Sequence, residues 1–254
     1  MPFKRLIPVL LLNNEELIHR KKYESSSDKY VGDPINTINV FNQYEVDELT
    51  ILDISTRKNN NEICFDLLSE ISGEAFFPLS YGGGINKIDD AKKIINLGFE
   101  KVVLNNSILD NFELLEDCIK YLGSQSVVVS IDIVLKNKNY MIYDYIKKKT
   151  LDISLFEYIS ILNNIKVGEI LFSLVDLDGT MLGHDSNFIS LIQNKVEMPI
   201  IYKGGLKNYN DLKDIFKFNI DAVASSTIFI MKKNNGGIVL NYPTEQEKKF
   251  YIYD

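Results

Sequence analysis

Short runs of apolar, largely β-branched residues alternate along the chain with segments whose apolar positions recur at helical spacing. The runs are Leu6–Leu12, Leu49–Ile54, Phe76–Ser80, Val102–Leu104, Val127–Ile133, Ile170–Val175, Ile200–Tyr202 and Ala222–Ala224. Near-continuous apolar runs predict strands covered on both faces. Between them, groups such as Ala91, Ile94, Ile95 and Leu97, or Leu114, Leu115, Cys118 and Ile119, mark one face of a helix. Eight such units predict an α/β fold, a closed (β/α)8 TIM barrel rather than an open doubly wound sheet. Gly82-Gly83-Gly84 lacks the G-x-G-x-x-G spacing and follows the third run, so a dinucleotide fold fits poorly. Two polar stretches break the rhythm. Lys22–Tyr30 reads as a long mobile loop after the first strand. Lys136–Lys149 reads as a small hairpin after the fifth, either a lid or a plain surface excursion.

The chain also repeats. A shift of 121 places lays Pro78–Ile85 on Pro199–Leu206, Asn105-Asn106 on Ser226-Thr227 and Glu48 on Glu169. One barrel domain over residues 1–254 follows, built of half-barrels of about 1–122 and 123–235 with a short extension, 236–254. Active sites of barrels lie at strand C-termini. There Gly83-Gly84 with Asn105-Asn106, and Gly204-Gly205 with Ser226-Thr227, form two candidate phosphate cradles across one mouth. A ligand with a phosphate at each end is the expected occupant; plain tight turns are the alternative. Tyr81 and Tyr202 end equivalent strands and are expected to line the mouth.

Carboxylates share the rim. Asp53 ends the second strand, Asp132 lies in the fifth, and Asp176-Leu177-Asp178-Gly179-Thr180 follows the sixth. A carboxylate inside an apolar strand is costly unless it bonds or acts, which marks Asp132 as a catalytic candidate. Its partner under the shift is Leu11, which neither gives nor takes a proton. At the opposite end, Arg5, Glu48, Lys101 and Glu169 open the first, second, fourth and sixth strands, where two cations and two anions can form a compensated ring. Four unrelated solvated residues are the alternative.

Composition narrows the classes. The 254 residues carry a net charge of −7, 45% hydrophobic and 25% charged residues, an ordinary globular balance. The acidic sign argues against nucleic acid or an anionic membrane as partner. No run has the ~18 apolar residues of a membrane span, and the start lacks a signal-peptide cleavage pattern, so a cytoplasmic protein is expected. Cys64 and Cys118 form no metal or redox spacing and are expected as buried helical thiols. No metal cluster is visible, and no cofactor is expected.

Lys4-Arg5, Val31-Gly32-Asp33-Pro34, Asp47-Glu48-Leu49, Leu52-Asp53-Ile54, Gly82–Ile85, Gly123-Ser124-Gln125, Val127–Asp132, Gly168-Glu169-Ile170, Asp176–Thr180 and Gly204-Gly205 together resemble the cyclase subunit of imidazole glycerol phosphate synthase along nearly the whole chain. The resemblance implies a barrel that takes ammonia from a glutamine amidotransferase docked on its N-terminal face. It implies that the ammonia passes through the barrel to a bisphosphorylated ribulosyl substrate. The family's strand-five catalytic aspartate falls on Asp132. Its strand-one aspartate falls on Leu11 and is lost, and its first-loop lysine falls on His19. The family's charged gate falls on Arg5, Glu48, Lys101 and Glu169, all of the expected type, and Glu100 stands where the family faces its amidotransferase. Ile7–Leu12, Tyr30–Asn36 and Val239–Pro243 look like paralogues in bacterial surface-polysaccharide and nonulosonic-sugar clusters. That group is thought to feed ammonia to a separate sugar amidotransferase that makes an acetamidino group. An ammonia-channelling barrel is therefore the leading expectation. The alternative is a genuine cyclase-lyase of histidine biosynthesis making imidazole glycerol phosphate and AICAR, with water, His19 or Asp53 in the second role. A binding scaffold without turnover ranks third. Lys203 either adds a phosphate contact or blocks one, and His184 reads as structural. The tail is expected to be extended after Gly236-Gly237, with Thr244–Glu247 starting a short helix.

Overall fold

A computed structural model of the chain describes residues 4–56, 62–232 and 237–253. The boundary expected at 235/236 and the residue Gly236 lie outside these. Eight parallel strands close into a barrel: β1 (Arg5–Asn13), β2 (Leu49–Asp53), β3 (Leu79–Gly82), β4 (Lys101–Leu104), β5 (Val127–Lys136), β6 (Glu169–Leu174), β7 (Ile200–Lys203) and β8 (Ala222–Ser225). β8 pairs back with β1, and β5 with β6, so the sheet has no open edge along this ring. The fold is the (β/α)8 barrel. At the 121 offset, β3 falls on β7 and β4 on β8 residue for residue. The third strand begins later than the apolar run Phe76–Ser80. Pro78 has no N–H to give, and its carbonyl instead accepts from Leu49 N at 2.9 Å, leaving Phe76 85% exposed.

The core has two layers. Leu6, Leu10, Leu49, Ile51, Val129, Ile131 and Phe172 point outward and pack under the helices. Ile7, Val9, Leu11, Val103, Val128, Leu171, Ile201, Ala222 and Ala224 fill the barrel interior. Strand period two assigns the residues between outward neighbours to the inside, and these are Thr50, Ser80, Ser130 and Ser173, all buried. Helices follow their apolar stripes. In Ile88–Asn96, Ala91 and Ile94 are buried, with Asp89 and Asp90 in the first turn and Lys93 in the last, where the helix dipole favours them. The tail helix Glu245–Ile252 starts with the capping box of Thr244 and Glu247.

The polar stretch Lys22–Tyr30 is not a mobile loop. Strands Glu16–Lys21 and Glu24–Gly32 extend β1 into an antiparallel meander. Its turn residues Lys22 and Tyr23 both have positive φ, 49° and 61°. The stretch after β5 is a hairpin, with strands Asn139–Asp144 and Lys149–Thr150. Cys118 is buried in the helix Phe112–Leu122, but Cys64 sits one residue before a helix and is only partly buried. No described helix is long and apolar enough to cross a membrane.

Candidate active site at the barrel mouth and a charge ring at its base

At the N-terminal end, strand starts aim four charged side chains inward. Arg5 contacts Glu48 at 2.6 Å and Glu169 at 2.8 Å; Lys101 contacts the same two carboxylates at 2.8 and 3.3 Å. Ser80 Oγ donates to the second oxygen of Glu48 at 2.7 Å. Every charge thus has two opposite neighbours, which is what offsets the desolvation of a buried cluster. Burial pushes the Glu48 carboxyl up, but Lys101 and Arg5 outweigh it and hold it below the ordinary carboxylate value. Burial likewise works against the Arg5 charge, yet Glu169 and Glu48 raise its pKa. Glu100 is exposed at the same end, next to Lys101.

At the C-terminal end, a cavity of about 150 Å³ is lined by Leu11, Tyr23, Leu52, Asp53, Gly82, Gly83, Gly84, Asn105, Asn106, Ser107, Asp132 and Lys203, among others. Asp132 is 3% exposed. Tyr23 Oη donates to its Oδ1 at 2.7 Å and Asn105 Nδ2 to its Oδ2 at 2.9 Å. Burial is the dominant influence and pushes Asp132 up to about 6, against the pull of these two donors and of Lys203. A carboxyl near 6 is suited to proton transfer close to neutral pH. Leu11 lines the same cavity and brings no second titrating group. Asp53, at the cavity edge, is committed locally: Ser55 N, Ser55 Oγ and Thr56 N all bond its Oδ1. Asp176 is exposed and accepts from Leu135 N, which ties it to the β5 hairpin.

The two glycine pairs share their backbone geometry. Gly83 and Gly84 have φ of 132° and 67°, and Gly204 and Gly205 have 134° and 81°. A Cβ on Gly83 would fall 2.3 Å from the Asp53 carbonyl oxygen, so the approach admits glycine only. Their settings differ. Gly83, Gly84, Asn105 and Asn106 are half-buried and line the cavity; Gly204, Gly205, Ser226 and Thr227 are buried and do not. Asn106 Nδ2 also donates to Asp144, binding that side to the β5 hairpin. The hairpin after β1 packs on Thr227 and on the Asp178-Gly179 turn, while Gly205 lies against Gly183. His19 Nε2 lies 3.2 Å from Thr227 Oγ1, and Lys22 N donates to the Asp178 carbonyl at 2.9 Å. A Cβ on Gly179 would fall 2.4 Å from Arg20 O. His19 is therefore a buried strand residue, and burial holds it neutral with a pKa of about 4. Lys203 is 1% exposed, and its Nζ lies 2.7 Å from Asp178 Oδ1. The angles of that contact make it an ion pair without a proper hydrogen bond.

Tyr81 and Tyr202 do not line the mouth. Both are fully buried beneath the helices, because strand alternation turns them away from the inward Gly82 and Lys203. The Tyr81 hydroxyl donates to Asp53 Oδ2, at the end of β2, at 3.4 Å, and the Tyr202 hydroxyl accepts from Asp185 N at 2.9 Å. His184 lies off the cavity, 3.0 Å from Ser186 Oγ. Sequence reasoning did not single out Tyr23. Its signal was an aromatic at the head of a serine-rich polar run, and only the hairpin brings it to Asp132. Among the described residues, no group of three or more His, Cys, Asp or Glu is placed to hold a metal ion.

A model of the family described as "Histidine biosynthesis protein" matches residues 5–235. The chain is 36% identical over 245 residues to a Pseudomonas aeruginosa protein provisionally named an imidazole glycerol phosphate synthase subunit, covering 94% of this chain and 96% of that one. A Leptospira borgpetersenii protein with the same provisional name is 33% identical over 248 residues, covering 96% and 97%. The imidazole glycerol phosphate synthase subunit HisF of Petrotoga mobilis is 30% identical over 228 residues, covering 89% and 90%.

Proposed function

Because the chain belongs to the histidine biosynthesis protein family, we propose that it is a HisF-like barrel that conducts ammonia from a glutamine amidotransferase partner. The partner docks on the N-terminal face, over the ring of Arg5, Glu48, Lys101 and Glu169. The observation that carries this reading is the contrast between the two ends. The ring at the base is complete and every charge in it is paired, while the mouth holds Asp132 opposite a leucine. Ser80, Ser130, Ser173 and Thr50 support it, since they give a small polar molecule hydrogen-bonding steps through an interior that barrels more often fill with branched apolar side chains. The released ammonia serves amidation of a surface-polysaccharide sugar by a separate amidotransferase, and the barrel acts in the cytoplasm.

The second reading is a genuine cyclase-lyase that makes imidazole glycerol phosphate and AICAR. Asp132, near 6 and bonded to the Tyr23 hydroxyl, favours it. Purified protein supplied with ammonia and the ribulosyl substrate separates the two. The channelling reading expects turnover far below that of an ordinary cyclase, and a normal rate sinks it. For the channel itself, Arg5→Ala in the two-subunit complex should leave glutamine hydrolysis running without matched ammonia delivery; unchanged coupling removes the gate.

A further inference from the structure

Off the mouth, the loop after β6 brings a hydroxyl, an imidazole and a carboxylate into line. Ser186 Oγ lies 3.0 Å from His184 Nε2, and His184 Nδ1 faces Asp211 Oδ1 across 3.9 Å. None of the three lines the cavity that holds Asp132. Ser186 is exposed, whereas the side chains of His184 and Asp211 are only 11% and 15% exposed. The loop is firmly held. Gly183 N donates to Gly205 O at 2.6 Å, Asp185 N to Tyr202 Oη at 2.9 Å, and Tyr140 Oη to Asp185 Oδ2 at 2.7 Å. Asp185 Oδ1 caps the helix Ser186–Ile192 through Asn187 N and Phe188 N. His184 and Ser186 thus flank a pinned aspartate, which fixes their geometry. Asp211 is fixed too, since its Oδ2 accepts from Lys207 N at 2.6 Å.

The surroundings set the tautomer of His184. Nδ1 is buried and has no hydrogen-bond partner, and the group across from it is a carboxylate. An N–H there is attracted to Asp211, whereas a lone pair would be repelled, so Nδ1 carries the proton. Nε2 is left to accept from the Ser186 hydroxyl, the arrangement that attack by a serine requires. At 3.9 Å the link to Asp211 is too long for a hydrogen bond, a looseness common in such chains before a substrate tightens them. Positive charge stands beside the site. A Cβ on Gly183 would fall 2.9 Å from Lys207 Nζ, so that ammonium lies against the residue before His184. The N–H groups of Asn187 and Phe188 are taken by Asp185 and form no oxyanion hole, which restricts the site to acyl groups with good leaving groups.

We propose that Ser186 and His184 form a second, surface catalytic pair, oriented by Asp211, that hydrolyses small activated esters. Ser186 Oγ attacks the carbonyl carbon while His184 Nε2 takes its proton. The tetrahedral adduct breaks its bond to the leaving oxygen, which receives that proton, and an acyl serine remains. Water, giving a proton to His184, then releases the carboxylic acid and restores the hydroxyl. One ester and one water become one acid and one alcohol. This goes beyond the ammonia reading, because the site lies off the conduit and needs no partner subunit.

Treatment of the full chain with diisopropyl fluorophosphate, followed by peptide mass spectrometry, tests it. Ser190, another exposed serine one turn along the same helix, is the internal reference. Ser186 is expected to react about 100-fold faster than Ser190, within the scale of general-base assistance. His184→Gln should slow the reaction at Ser186 about 100-fold and leave Ser190 unchanged. Asp211→Asn should slow Ser186 about tenfold, again without moving Ser190, and Asp211→Glu should recover most of the rate. Hydrolysis of 4-nitrophenyl acetate should fall at least tenfold in Ser186→Ala. Equal rates at the two serines overturn the proposal. So does an unchanged rate in folded His184→Gln or Asp211→Asn, or ester hydrolysis that survives Ser186→Ala. If His184→Gln does not fold, the comparison of the two serines in the unaltered chain, with Ser186→Ala at its exposed position, still decides the matter. Ammonia coupling in the two-subunit complex is read separately, so either idea can fail without the other.

Discussion

Replacing Asp132 by asparagine should stabilise the protein, and more so as the pH rises. Burial lifts this carboxyl from 3.8 to about 6. Between those values the folded chain holds a proton that the unfolded chain has lost, so stability falls with rising pH. The penalty is small below about pH 4, grows between pH 4 and 6, and levels off at about 3 kcal/mol above that. Asparagine keeps the volume and the acceptor for Tyr23 at 2.7 Å. It presents an NH₂ group where Asn105 Nδ2 now donates at 2.9 Å, so Asn105 must turn its amide. Charging that rearrangement at about 1 kcal/mol leaves a net gain of about 2 kcal/mol at pH 8 and a small loss near pH 4. Urea unfolding of wild type and variant across pH 4–8 measures the difference, and titrations common to both cancel. A difference that does not change with pH, or one that falls as pH rises, would refute the desolvation argument.

Three further perturbations probe the two ends. Tyr23→Phe removes a donor that holds Asp132 down, so the carboxyl should rise by about one unit above its present value of about 6, read by carboxyl-carbon NMR titration; an unchanged midpoint would show that the hydroxyl does not govern it. Leu11→Asp supplies a second carboxylate at the mouth and should raise formation of imidazole glycerol phosphate from ammonia and the ribulosyl substrate by about 100-fold or more, the usual scale of general acid–base catalysis; no gain in product by chromatography argues that Leu11 is not the missing partner. Lys101→Met leaves Glu48 and Glu169 with only Arg5 and should cost about 3 kcal/mol in urea unfolding at pH 7. The cost should shrink as pH falls below the ordinary glutamate value of 4.5, since Glu48 is held low and its contribution is lost as it protonates.

The chain by itself determined the barrel, because near-continuous apolar strands, their helical spacers and their number are local properties that count directly along a sequence. It also determined which end each charged group occupies, since all strands are parallel and position along a strand is position along the axis. Arg5, Glu48, Lys101 and Glu169 therefore meet at the base. Three features were settled only by tertiary structure. The hairpin at Lys22–Tyr30 carries no Asn-Gly or Gly at its turn. Lys22 and Tyr23 adopt positive φ at a cost of about 1–2 kcal/mol each, and the site offsets that cost through the Tyr23 bond to Asp132, 109 residues away. The outward burial of Tyr81 and Tyr202 followed from strand phase, which a residue's place at a strand end does not reveal. The inequality of the two cradles arose because His19 packs on Thr227 across 208 residues. A local repeat fixes equal backbone turns in both halves. Which of them stays open depends on what the rest of the chain lays over it.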